Sequence, residues 1–339
     1  MRAMAVIDYA EPLKPIDIPE PELREGWALL DVVTCGVCFS DVKTARGHMP
    51  YSDGLTLPHV PGHEVFGRVV RTDPPGLVET GSTAIVFHYW PCGRCAACRR
   101  GDETLCSQLV GWMGFTHPGG FAERIAVPVD RLVTVPADVD PVHAAPMSCA
   151  LGTAFRSVIT RGNVRAGTSV AVIGLGGVGI HAAQVARAAG GRVVGLDVHE
   201  PTLEAARELG LSSRRSDDPD LPRDVGDLDV VIDTVGHADT LALADRLVRP
   251  GGRIVGVGYS PTTAVSLATP RFVLDEIELI GSRYARRDDM ERAVRLVADG
   301  HVRTVVGLVR PLDAVNDVFA ALESGSVVGR AVLDVAGVA

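Results

Sequence analysis

The spacing of apolar and polar residues changes along the chain. From residue 1 to about 148 the apolar runs are short and alternating. Ala28-Leu29-Leu30-Asp31-Val32-Val33 and Phe66-Gly67-Arg68-Val69-Val70 read as strands. Turn signals such as Pro74-Pro75-Gly76 and Pro118-Gly119-Gly120 recur between them. From about 150 the period lengthens. Ser169 to Ile173 predicts a strand, a Gly-rich turn follows, and Val178 to Ala189 predicts a helix packed through small apolar residues. Strands are then expected over 192–196, 229–234, 253–257 and 277–280, with a helix over 202–209. Strand alternating with helix predicts a parallel sheet covered on both faces. The tail, 283–339, predicts an amphipathic helix over 288–298, with Met290, Ala293, Val294 and Val297 on one side, and strands over 305–309 and 331–335 around a second helix. At about 57 residues it is too small to bury a core alone and is expected to pack back on the first region. The pattern gives an α/β protein with two domains: 1–149 with 283–339, β-rich, and 150–282, a doubly wound parallel sheet.

Composition narrows the class. The chain has 339 residues, 46% hydrophobic and 22% charged, with a net charge of −9. That suits a globular protein and lacks the basic footprint of a nucleic-acid binder. No apolar run approaches the ~18 residues of a membrane span, and the N-terminus has no signal-like apolar core. The expected location is cytoplasmic, with no membrane partner. In that reducing setting the seven cysteines read as ligands or core residues rather than disulfides.

Cys92, Cys95, Cys98 and Cys106 follow C-x2-C-x2-C-x7-C inside a lobe spanning 88–110. Four thiolates so close can close a tetrahedron on one Zn²⁺ and order a loop with few apolar residues of its own. Such a site has no open position, so its role is structural. The rival is an iron–sulfur cluster, but the ferredoxin run ends in a three-residue gap followed by Pro, and this one does not.

Cys38, His63 and Cys149 stand far apart in sequence. By spacing alone each reads more readily as a core residue than as a ligand, and Cys35 competes with Cys38 for any metal role. The turn Gly174-Leu175-Gly176-Gly177-Val178-Gly179 carries G-x-G-x-x-G after a predicted strand and before a predicted helix. Asp197 ends the next strand, 23 residues after Gly174. That context is the dinucleotide fingerprint: glycines for the turn, for close approach of the pyrophosphate and for helix packing. The Asp197 carboxylate suits ribose hydroxyls and repels a 2′-phosphate, which favours NAD(H) over the phosphorylated form.

These pieces occur together in one order. C-G-V-C-F-S-D at 35–41, P-G-H-E at 61–64, the cysteine lobe, G-G-F-A-E at 119–123, A-P-M-S-C at 145–149 and the Gly-rich turn cover the chain. The sequence resembles the zinc-dependent medium-chain alcohol dehydrogenase family. The resemblance implies a GroES-like catalytic domain joined to a Rossmann domain. It implies two zinc ions per chain, one structural in the lobe and one catalytic on Cys38, His63 and Cys149, with Cys35 not a ligand. It also implies that Asp41 accepts the second ring N–H of His63, that Glu64 lies beside the metal, and that Ser40 relays the alcohol proton. Val178 then backs the nicotinamide, and Arg330 lies near the pyrophosphate, although a surface role for it is equally open. Where some members carry a histidine three residues after the relay hydroxyl, this chain has Lys43. His88, Tyr89 and Trp90 fall where the family lines its substrate pocket.

The expected activity is hydride transfer between an alcohol, or its aldehyde or ketone, and NAD(H), with zinc as Lewis acid. The expected assembly is a homodimer or homotetramer. The alternatives are a polyol, amino-alcohol or natural-product carbonyl reductase on the same scaffold, and, outside enzymes, an NAD-binding redox or metal sensor.

Overall fold

A computed structural model describes residues 1–49, 55–136 and 138–338. The chain forms two compact units, Met1–Cys149 with Val306–Ala339, and Ala150–Val305.

The first unit is built on the strand Trp27–Val37. Its aliphatic residues pair antiparallel with Glu64–Asp73, Arg124–Pro128 and Arg330–Asp334. Leu30 lies opposite both Val69 and Ile125, and all three are buried. Val306–Pro311 adds to Arg330–Asp334 in parallel, so the C-terminal segment returns to this unit by sheet pairing. The same strands set up chemistry. Gly36 lies directly opposite Glu64, and a Cβ at Gly36 would sit 2.3 Å from Glu64 Oε2. Only glycine leaves room there for the carboxylate.

The expected domain return at 283 falls instead at Val306. The reason is the helix Arg287–Ala298, whose Met290, Ala293 and Val294 are buried within the second unit. Met290 fills the space over Gly152, where a Cβ would come within 2.6 Å of its terminal methyl. Asp289 forms a buried ion pair with Arg156 at 3.1 Å.

The second unit holds a parallel sheet in the order Ser212–Arg215, Arg192–Asp197, Ser169–Ile173, Leu228–Asp233, Val248–Gly256, Glu278–Gly281. Numbered along the chain this is 3-2-1-4-5-6, the doubly wound order with its switch point beside the first strand. Ser212–Arg215 is polar throughout and carries no alternation, which is why periodicity does not reveal it. No helix among the described residues is long and apolar enough to cross a membrane.

Candidate metal centres and nucleotide turn

The cysteine lobe hangs from a two-stranded ribbon, Tyr89–Trp90 against Gly111–Trp112. Its root is aromatic: Trp27 meets Trp90 edge-on at 5.4 Å, and Tyr89 meets Trp112 at 5.7 Å. Within the lobe the sulfurs of Cys95 and Cys98 are 3.4 Å apart, those of Cys95 and Cys106 3.9 Å, and those of Cys92 and Cys98 4.0 Å. Four sulfurs at ~2.3 Å from one centre are separated by about 3.8 Å, so the cage fits Zn²⁺. The backbone N–H of Cys92 donates to the Cys106 sulfur and that of Cys95 to the Cys92 sulfur, each at 3.3 Å. Backbone N–H donors, first that of Cys98, draw the Cys95 thiol down to about 5. Partial burial and the neighbouring sulfurs push Cys98 up to about 12. Four thiolates cannot all ionise side by side without a cation between them.

The second centre is assembled from distant segments of the first unit. Cys38 precedes the short helix Phe39–Ala45. Its backbone N–H donates to Asp41 Oδ2 at 2.8 Å. Asp41 is fully buried, and its Oδ1 accepts from the Gly62 N–H at 3.2 Å and faces His63 Nδ1 at 3.0 Å. A carboxylate only accepts, so Nδ1 carries the proton and Nε2 is the ligating nitrogen. Cys38 Sγ, His63 Nε2 and a Glu64 oxygen converge, with the ligand atoms of Cys38, His63 and Glu64 all within 4.8 Å of one another.

Charge binds the fourth residue to this group. A hydrogen bond from the Cys149 thiol, helped by Arg330 and His63 and opposed by burial, holds Cys38 well below its ordinary value. The same bond and burial hold Cys149 well above its own. Burial pulls His63 down, but the charge and hydrogen bond of Asp41 and the Cys38 sulfur reverse this and raise it. Burial pushes Glu64 up to about 7 against the pull of Arg330. Without a cation Cys149 and His63 therefore keep their protons beside the Cys38 thiolate, and a divalent ion would displace them. Neither Glu64 oxygen has an aligned hydrogen-bond donor. That is a further sign of a site shaped for a cation.

Ser40 Oγ lies 3.6 Å from Cys38 Sγ. Arg330 is only 5% exposed, and its Nη2 lies 3.1 Å from Glu64 Oε1, close enough for an ion pair although not aligned as a hydrogen bond. A surface role for Arg330 is thus excluded. Cys35 is fully buried, and its thiol faces the Gly36 carbonyl. His88 and Phe115 flank the His63 ring at 4.9 and 4.8 Å between centroids.

In the second unit the turn at 174–179 leaves the strand Ser169–Ile173 and opens the helix Gly179–Ala188. Gly174 has φ +81°. A Cβ on Gly179 would lie 1.7 Å from the Gly174 carbonyl oxygen, so the helix can start there only with glycine. Gly176 faces open space, where backbone can meet a phosphate. Gly177 and Val178 complete the turn. Asp197 accepts from the Leu175 N–H at 2.7 Å and the His199 N–H at 2.9 Å, which ties the turn to the end of the next strand. A carboxylate has about four lone-pair sites, so acceptor capacity remains. Sequence reasoning missed the Glu64–Arg330 pair. The signal for it was Gly36, whose need is visible only once the strand register is known.

Two family models match the chain: the alcohol dehydrogenase GroES-like domain over residues 24–137 and the zinc-binding dehydrogenase over residues 177–299. An alcohol dehydrogenase from Geobacillus stearothermophilus is 33% identical over 345 aligned positions, covering 99% of this chain and all of that one. The chain belongs to the zinc-dependent alcohol dehydrogenase family. The alcohol dehydrogenase of the archaeon Aeropyrum pernix superposes with a TM-score of 0.89 at 30% identity, covering 99% of this chain and 100% of that one. An NAD-dependent alcohol dehydrogenase superposes with a TM-score of 0.91 at 28% identity, with the same coverage. As a member of the family the protein is an oxidoreductase working between an alcohol or carbonyl compound and NAD(H), with zinc and NAD(H) as its cofactors.

Proposed function

We propose that Cys38, His63 and Cys149 hold the catalytic zinc, that Cys92, Cys95, Cys98 and Cys106 hold a structural one, and that the turn at Gly174, Gly176, Gly177, Val178 and Gly179 with Asp197 takes NAD(H) in preference to its 2′-phosphate. The observation that carries this is the convergence of Cys38, His63 and Glu64, with the Cys149 thiol in hydrogen-bond reach of Cys38. When bound, zinc supplies Lewis acidity toward a substrate oxygen and NAD(H) supplies the hydride donor or acceptor.

The chain's own residues do the rest. Asp41 keeps the proton on His63 Nδ1 and the ring in one orientation. Ser40 Oγ takes the alcohol proton and passes it outward. Lys43 is lowered by burial, the direction an outer proton acceptor needs, with its Nζ 5.9 Å from the Phe39 ring centroid. Glu64, held near Arg330, would stand beside the bound metal as a further oxygen donor. Three ligands of which two are cysteines favour simple alcohols and their aldehydes or ketones as substrates. A polyol, amino-alcohol or natural-product carbonyl reductase is the alternative that the assay below separates.

Assembly and location belong to the same reading. Among the described residues Glu278–Gly281 is the edge of its sheet, with Leu279 exposed and Phe272, Val273 and Leu274 exposed on the preceding helix. An open apolar edge is a template for a second copy, which supports a homodimer or homotetramer. Seven cysteines with no disulfide among the described residues suit the cytoplasm.

The test is metal analysis with a panel of primary, secondary, aromatic and polyol substrates, run with NAD⁺ and NADP⁺. Two zinc ions per chain and turnover of simple alcohols with NAD⁺ are expected. NAD binding without turnover on any substrate would favour a sensor and overturn the assignment. Asp197→Ala should lower the NAD⁺ to NADP⁺ ratio of kcat/KM about tenfold, and an unchanged ratio would remove Asp197 from the ribose.

A further inference from the structure

The helix that opens at Gly179 carries two buried polar side chains that bond to backbone groups. His181 is fully buried. Its Nε2 faces the backbone N–H of Val305 at 3.0 Å, and its Nδ1 faces the Gly177 carbonyl oxygen at 2.6 Å. The two bonds fix the tautomer. Because Val305 N–H donates, Nε2 must be the bare acceptor, so Nδ1 carries the proton and donates to Gly177. One turn on, Gln184 accepts from the Arg303 N–H at 3.0 Å and donates to the Arg303 carbonyl at 2.9 Å. The helix thus grips the backbone of 303–305, and the next residue, Val306, begins a strand of the other unit.

We propose that His181 is a positioning residue that joins the nucleotide turn to this crossover segment. In a trans peptide the carbonyl and the following N–H point in opposite directions. Holding the Gly177 carbonyl along the helix therefore aims the Val178 N–H out of the helix start, where an anion would meet it. The two imidazole nitrogens point in divergent directions, one as donor and one as acceptor, so the ring holds a different backbone group at each. His181 sets the turn for the pyrophosphate and anchors the end of the nucleotide unit with the same ring. This rests on the turn being a dinucleotide site.

Two variants divide the ring's two bonds. The amide of His181→Asn sits near Nδ1 and keeps a donor for Gly177 while releasing Val305. The amide of His181→Gln reaches the position of Nε2 and keeps an acceptor for Val305 while releasing Gly177. NADH affinity is read from the cofactor's own emission, and the Val305 amide from hydrogen exchange. We expect His181→Asn to bind NADH within about twofold of the parent with a fast-exchanging Val305 amide. We expect His181→Gln to bind NADH about five- to tenfold more weakly with a slow Val305 amide, as loss of one hydrogen bond implies. A merely structural histidine would make both variants alike in both readouts, and that result overturns the proposal. So does His181→Gln binding NADH as tightly as the parent. A parent protein that fails to bind NADH at all would instead remove the dinucleotide reading, and this inference with it.

Discussion

The two cysteine clusters of the first unit face one problem, holding several ionisable donors together, and meet it in opposite ways. The lobe takes its four sulfurs from fifteen consecutive positions, Cys92 to Cys106, leaves them partly exposed, and stabilises them with nearby backbone N–H groups. The other centre draws Cys38, His63 and Cys149 from three separate segments and buries its histidine and acids almost completely. Local chain is enough to template the first. The second needs the sheet, because Glu64 stands across from Gly36 and Asp41 must span from Cys38 to His63. A lobe of this kind stabilises, and a buried, irregularly shared set of donors is what chemistry requires. In the lobe local backbone hydrogen bonds lower the pKa of Cys95, whereas in the buried centre burial raises that of Glu64 and the hydrogen bond between Cys38 and Cys149 drives the pKa values of those two thiols apart.

The difference breaks most readily at the buried centre. Cys38→Ser should lower kcat/KM by about a thousandfold or more, roughly 4 kcal/mol, with one zinc lost and the melting temperature almost unmoved. A large fall in melting temperature with activity retained would invert the comparison. Cys106→Ser should do the reverse. It costs about 3 kcal/mol of stability, roughly 5–10 °C in Tm, and opens the lobe to proteolysis while freshly purified protein still turns over. Asp41→Asn sharpens the contrast, since it leaves every ligand in place. Zinc affinity at the buried centre should fall about 10- to 100-fold, while the lobe's zinc resists chelators as before. The smallest effect is a control in the other unit. Asp229 accepts from the backbone N–H and hydroxyl of Ser169 and pairs with Arg249, and these donors, first the Ser169 N–H, draw it down to about 2. Asp229→Ala should cost about 1 kcal/mol and touch neither zinc. A depressed carboxyl stabilises the fold above its unfolded value near 4, and that contribution fades as pH falls toward 2. Denaturation at pH 7 and pH 2.5 should therefore show the variant and parent converging in acid.

What could be read from the sequence follows the same division. The lobe and the Gly-rich turn were legible because their geometry is local: thiols at short spacing, glycines that a carbonyl 1.7 Å from a Cβ position demands. The parallel sheet was legible from its β-branched core strands, except at Ser212–Arg215, where an edge strand with both faces polar leaves no period to detect. Cys38, His63 and Cys149 were ambiguous singly and gained meaning only as an ordered set. The pairing of Arg330 with Glu64 depends on strand register, and the grip of His181 on Val305 depends on a contact between residues 124 apart. Neither leaves a local trace. The tail was divided wrongly at 283 because the apolar face of Arg287–Ala298 shows that a helix is buried without showing against what.

The aromatic root of the lobe has a practical bearing. The protein has three tryptophans, and Trp27, Trp90 and Trp112 all stand at that root. Tryptophan emission therefore watches the cysteine-bearing half alone, whereas circular dichroism watches both halves. Melts recorded by the two signals would coincide only if the halves come apart together, so a gap between the curves would measure, without any label, how independently the nucleotide half unravels.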